Sequence, residues 1–186
     1  MKRSKFQVAL LFINFILISC NINLTVQAQT VKKEWFTRDG NPPKTSEAPK
    51  NTNIAHRQLN QNNSNPFWHD IIAEVKSWPH IIKKHSGVSV QGAVGFYIDS
   101  KYASKNSLKF MRSTEFGHLH PISDGSMHLI VPSQVKEELL KAKWAEQHPR
   151  NNKLIMLYAP RTKDEYKLVI NVLKVAYQNA LKTEEN

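Results

Sequence analysis

The sequence has one cysteine, Cys20. An intrachain disulfide framework and a cysteine-rich metal site are both excluded. No acidic residue precedes position 29. No apolar run reaches the ~20 residues that a membrane-spanning helix needs. No internal repeat is present. The chain is basic, with a formal net charge of +11 and a pI near 9.8. Such a balance favours anionic partners in general. Yet no dense Lys/Arg block is interleaved with aromatics, and the lysines are spread along amphipathic stretches. The footprint of a nucleic-acid binder is missing, and no nucleic-acid partner is expected. What remains, in 186 residues with 40% hydrophobic and 22% charged side chains, is one globular domain with polar extensions.

Residues 1–28 have the grammar of a targeting segment. Lys2, Arg3 and Lys5 precede an apolar stretch from Val8 to Ile18. Val26-Gln27-Ala28 offers a small-residue cleavage site. Leu17-Ile18-Ser19-Cys20 resembles a bacterial lipobox and marks Cys20 as a lipidation candidate. An uncleaved anchor is the third alternative. Each implies a protein that is exported and periplasmic, membrane-tethered or secreted, with the N-terminal segment as its membrane contact.

Residues 29–66 contain Pro42-Pro43, Pro49 and a run rich in Asn and Gln, without hydrophobic periodicity. Such a segment buries too little apolar surface to offset the entropy of ordering it, and it reads as a polar, disordered linker. The domain is expected over 67–186. Asn65 and Pro66 open a helix carrying Phe67, Ile71, Val75 and Trp78, which Pro79 ends. Strands are expected over 88–98, 108–120 and 126–131, then a helix from Pro132-Ser133 with Val135, Leu139 and Ala142 inward. A strand over 153–158 follows. The last helix starts at the capping-box pair Thr162 and Glu165. Its stripe of Tyr166, Val169, Ile170, Leu173, Ala176, Tyr177 and Ala180 is core packing. The order predicts an α+β fold, a small antiparallel sheet with about three helices packed mainly on one face.

The second strand ends Glu115-Phe116-Gly117-His118-Leu119-His120. Alternation puts His118 and His120 on one face. With Pro121 to Gly125 as a hairpin loop, His120 stands opposite Ser126 and His118 opposite His128. Glu115 has the wrong parity unless a bulge, marked by Gly117, turns it inward. Three gathered imidazoles are open to three readings. They can bind a metal with an open position, with His118, His120 and His128 as the ligand set. They can perform acid–base chemistry. Or they are hydrogen-bonded strand residues with no further role. His56, in the linker, and His69, His80 and His85 give no comparable signal.

The stretches RSTEFGHLHPISDGSMHLIVP, VKEELLKAKWAEQHP and LIMLYAPRTKDEYKLVINVLKVAYQNAL resemble the luciferase-domain family, which includes the fungal luciferases and bacterial relatives. The shared features are Glu115-x-x-His118-x-His120, His128-Leu129, Trp144 with His148-Pro149, and Leu157 to Arg161. Ser77-Trp78-Pro79 matches bacterial members. The resemblance spans residues 67–181. It implies oxidation of a hydroxylated pyrone by molecular oxygen without an organic cofactor, through an endoperoxide that loses carbon dioxide. Carried onto this chain, it implies a cofactor-independent oxygenase-like site for an enolisable aromatic or pyrone-like small molecule. His118, His120, His128, Glu115 and His148 are the catalytic candidates. Trp144, Arg112 and Asp124 are the substrate-binding candidates, and oxygen is the co-substrate. The alternative is a non-catalytic, envelope-tethered ligand-binding domain. A histidine-ligated metalloenzyme is the third.

Overall fold

The computed structural model describes residues 35–48, 55–62 and 65–182. The targeting segment, its cleavage and lipidation candidates and Cys20 lie outside the described residues. Helix α1 spans Trp68–Ser77, with Asn65 Oδ1 accepting from the Phe67 N–H at 3.1 Å. It buries Ile71 and Val75, one turn apart, and stops at Trp78 before Pro79. Strands β1 (Ile81–His85), β2 (Val94–Ile98), β3 (Glu115–Leu119) and β4 (Met127–Leu129) follow. Helix α2 (Ser133–Lys141) leads to β5 (Ala145–Gln147) and β6 (Ile155–Leu157), and α3 (Lys163–Ala180) closes the fold.

All strand pairings are antiparallel, in the order β1-β2-β3-β4-β6-β5. One sheet face is apolar. Phe96, Leu119, Met127, Leu129, Ile155 and Leu157 join Val169, Val172, Leu173 and Ala176 of α3 in the core. Burying each Val, Leu, Ile or Phe side chain contributes about 1.5–3 kcal/mol relative to exposure. The helices cover this face, and the α+β arrangement is as the sequence predicts. Thr162 Oγ1 accepts from the Glu165 N–H at 3.2 Å, so the expected cap of α3 is present.

The strands are shorter than their apolar runs. The stretch 88–98 contributes only Val94–Ile98, and 108–120 only Glu115–Leu119, preceded by a 3₁₀ turn at Ser107–Lys109. Two strands have no pattern to betray them. The β1 sequence IIKKH does not alternate, because this edge strand is largely exposed. The β5 strand has only three residues.

The second sheet face is covered by the segment expected as a free tether. Over 35–48 and 55–62 that expectation is overturned. Thr45 and Gln58 form a β-bridge, and Ser46 N and Leu59 N donate to Arg57 O and Lys44 O. The pair is fastened to the domain by Arg38 N to Ala142 O at 2.9 Å, Trp144 Nε1 to Phe36 O at 2.6 Å and Ala159 N to Gln58 Oε1 at 2.9 Å. Polar bonds hold this strap, which is why hydrophobic periodicity does not reveal it.

Candidate functional site

Cross-strand partners share a sheet face. Gly95, His118, His128, Met156 and Glu146 are successive partners across β2, β3, β4, β6 and β5, and so form one row on the strap side. The hairpin expected from sequence is present: His118 pairs with His128, and His120 N donates to Ser126 O at 2.9 Å. Gly125 at its tip has φ +69, and an added Cβ would lie 2.7 Å from Asn65. Only glycine suits that position.

Glu115 reaches the same face through a bulge. Gly117 pairs with Phe96 and Glu115 with Tyr97, leaving Phe116 as the extra residue. The bulge sits at Phe116 rather than at Gly117. Gly117 has a different task. A Cβ there would stand 2.5 Å from Leu129 Cδ2 and 3.2 Å from His128 O, so its absence lets β3 and β4 pack at this register.

His118 of β3 and His120, just beyond its end, are each backed by a buried carboxylate. Glu115 Oε1 lies 3.1 Å from His118 Nδ1, and Asp124 Oδ2 lies 2.7 Å from His120 Nδ1. Glu115 also accepts from Ser86 Oγ at 2.6 Å, Tyr97 Oη at 2.6 Å and Gly87 N at 3.1 Å. Asp124 accepts from Ser126 N, Ser126 Oγ and Gln58 N. Burial pushes both carboxyls up, but hydrogen bonds, first from the paired histidine, outweigh it and hold them below the usual carboxylate range. Burial, together with the Glu115 hydrogen bond, pushes the Tyr97 hydroxyl up to about 12. Burial lowers His118 and, more strongly, His128, which also faces the other imidazoles. Burial and neighbouring His56 bring His148 down to about 4.

The site holds two more histidines than the hairpin supplies. His56, from the strap, is 3% exposed. Its Nδ1 lies 3.2 Å from His128 Nε2, and its Nε2 lies 2.5 Å from Glu146 Oε1. His148 packs edge-on to both, with ring centroids 5.1 Å from His56 and 4.7 Å from His128. The five imidazoles line one cavity of about 450 Å³, a size suited to a small organic ligand. Val88, Val90, Met111 and Leu154 supply its apolar lining, and Arg150 and Asn151 flank His148.

The other candidates are placed differently. Asp124 and Glu115 stand behind histidines rather than in the cavity lining. Arg112 donates to Gly87 O at 3.2 Å and does not line the cavity. Trp144 is fully buried in the core, edge-on to Phe36, with Arg38 over its ring at 5.8 Å. It anchors the strap and is no pocket wall, because its indole N–H is spent on Phe36 O. His56 escaped the sequence reading because nothing in an Asn/Gln-rich run distinguishes one polar residue that folds back. Glu146 carried one faint signal, its place between Trp144 and His148.

Two histidine triads have ring nitrogens within 4.8 Å of one another: His118, His120 and His128, and His56, His128 and His148. Among the described residues no helix is long and apolar enough to cross a membrane. No curated protein and no solved structure matches the chain. Residues 113–176 match the family model described as Luciferase domain, a segment holding Glu115, the hairpin with its three histidines, His148 and most of α3. Over that segment, therefore, the chain is similar to the luciferase-domain family, consistent with the resemblance read from its sequence.

Proposed function

We propose that the histidine cavity is an active site that oxidises an enolisable aromatic or pyrone-like small molecule with molecular oxygen. The observation that carries this reading is the set of five imidazoles lining one cavity, four of them from the segment that matches the Luciferase domain and two of them backed by buried carboxylates. The substrate's acidic oxygen sits where the ring nitrogens of His118, His120 and His128 converge. It binds there as its anion, its proton having passed to solvent, and the anion's charge is held at that point. The resulting electron-rich ring reacts with oxygen, and loss of carbon dioxide follows as the family resemblance implies. The apolar lining takes the flat body of the substrate, and Arg150 favours an acidic one. The basic start and apolar run of residues 1–28 support an exported protein.

The test is oxygen uptake by the full chain with a panel of hydroxylated pyrones and hydroxyaromatic acids. Uptake that saturates with one class, and that falls to background in His118→Ala and His120→Ala, is expected. Uptake that survives both substitutions, or a folded wild type inert toward the whole panel, refutes the reading.

A further inference from the structure

We propose that His118, His120 and His128 form a binding site for one divalent first-row transition-metal ion, with His118 Nε2, His120 Nε2 and His128 Nδ1 as ligands. The inference rests on the reading above only for the location of the site, and it names the charge that holds the substrate anion.

Tautomers carry the argument. A carboxylate accepts hydrogen bonds and cannot donate. His118 Nδ1, facing Glu115, and His120 Nδ1, facing Asp124, therefore carry their protons, which leaves both Nε2 lone pairs bare. His56 Nε2, facing Glu146, carries its proton for the same reason, so His56 Nδ1 is bare. The 3.2 Å contact from His128 to His56 is then an Nε2–H donor on a bare Nδ1, and His128 Nδ1 is bare in turn. It lies 3.1 Å from the bare His118 Nε2. Two imidazole lone pairs facing each other at that distance repel unless a cation lies between them.

A proton satisfies only one such pair. Here a third lone pair, from His120, belongs to the same group, whose nitrogens all lie within 4.8 Å. A metal ion accepts all three. Metal–nitrogen bonds of about 2.0–2.1 Å in a tetrahedral site put ligand nitrogens roughly 3.3 Å apart, close to the His118–His128 spacing. Every ligand also has the outer partner that metal-bound histidines require: Glu115 for His118, Asp124 for His120, and His56 backed by Glu146 for His128. The alternative triad fails the same test. His148 Nδ1 accepts from Arg150 N at 3.1 Å, which puts its proton on Nε2, and the His56–His128 contact is already a satisfied hydrogen bond. Three protein ligands leave one position open for substrate or oxygen on the cavity side. Borderline divalent ions such as iron(II), cobalt, nickel, copper and zinc suit an all-imidazole set.

The experiment strips the full chain with a chelator and titrates it with Co²⁺, read by visible absorption, with Zn²⁺ as competitor. One equivalent of Co²⁺, displaced by Zn²⁺, is expected for the wild type. His118→Ala, His120→Ala and His128→Ala should each weaken Co²⁺ more than ~100-fold, beyond the usual effect of an outer-partner change. His148→Ala should leave Co²⁺ affinity within the same order of magnitude. Absence of stoichiometric binding by the wild type overturns the proposal, whatever the variants do. So does a loss in His148→Ala equal to that in His118→Ala, which would move the ion to the other triad. Undiminished oxygen uptake by chelator-stripped protein would refute the ion's part in holding the substrate anion and leave the oxidation reading standing. A stoichiometric ion in a protein inert toward the substrate panel would do the reverse.

Discussion

Replacing Asp124 with Asn changes one atom and separates the work of the two carboxylate oxygens. Oδ1 accepts from Ser126 N at 3.1 Å, Ser126 Oγ at 2.6 Å and Gln58 N at 3.2 Å. Oδ2 faces His120 Nδ1 at 2.7 Å and Arg57 Nε at 3.5 Å. Three hydrogen bonds against one decide the orientation of the new amide. Its oxygen stays on the Oδ1 side, and its NH₂ is turned toward the His120 N–H. Two donors then oppose each other. Losing that charge-assisted bond costs about 1.5–3 kcal/mol. The Arg57 pair adds little, because Arg57 is 42% exposed. We expect Asp124→Asn to lower unfolding stability by about 2 kcal/mol in urea denaturation. His120 must fall back on Ser126 Oγ, 3.1 Å from its Nδ1, or move its proton to Nε2, where no ligand lone pair remains. Co²⁺ affinity should therefore drop about 10–100-fold. A variant destabilised by this amount whose Co²⁺ affinity is unchanged would show that Asp124 only holds the loop and the strap, and would refute the tautomer reasoning.

Gly117→Ala should cost about 1–3 kcal/mol by urea denaturation, because its Cβ would overlap Leu129 Cδ2 at 2.5 Å; an unchanged midpoint would mean the strands yield freely. Gln58→Ala strips the Ala159 N–H of its acceptor and should cost about 1–3 kcal/mol, with faster proteolysis between residues 55 and 62. Glu146 gives a pH signature. Burial raises its carboxyl, but hydrogen bonds, first from His56 and then from Thr45, outweigh that and hold it below its ordinary value of 4.5. A carboxyl depressed in the folded state stabilises above its unfolded pKa, and that contribution is lost as pH falls through the folded value. Urea midpoints measured downward from pH ~5 should fall more steeply in the wild type than in Glu146→Gln. Parallel curves would remove Glu146 from the acid-sensitive set.

The hairpin was legible because strand alternation and a five-residue loop with a glycine leave one register, and that register brings His118 to His128. Helix α3 was legible because its apolar stripe recurs at helical spacing and Thr162 caps it. The bulge at Phe116 was only half legible. Gly117 drew attention to the right place, but the extra residue is its neighbour, whose apolar ring carries no mark of a register shift. The strap was illegible. Arg38, His56 and Gln58 are buried by hydrogen bonds and ring contacts with residues ~100 positions away, and such pairings have no period. Trp144 misled for a related reason. It has the same parity as Glu146 of the site row, but it lies just before β5, where Phe36 and Arg38 of the strap cover its ring and keep it out of the cavity lining.

The most direct test of an oxidative histidine cavity is mass spectrometry of the product formed by the full chain from a hydroxylated pyrone under isotopically labelled oxygen gas. The predicted product carries label from the gas and has lost carbon dioxide, and it does not form with His120→Ala. Unchanged pyrone, or a product that takes its new oxygen from water, would contradict oxidation as the work of this cavity.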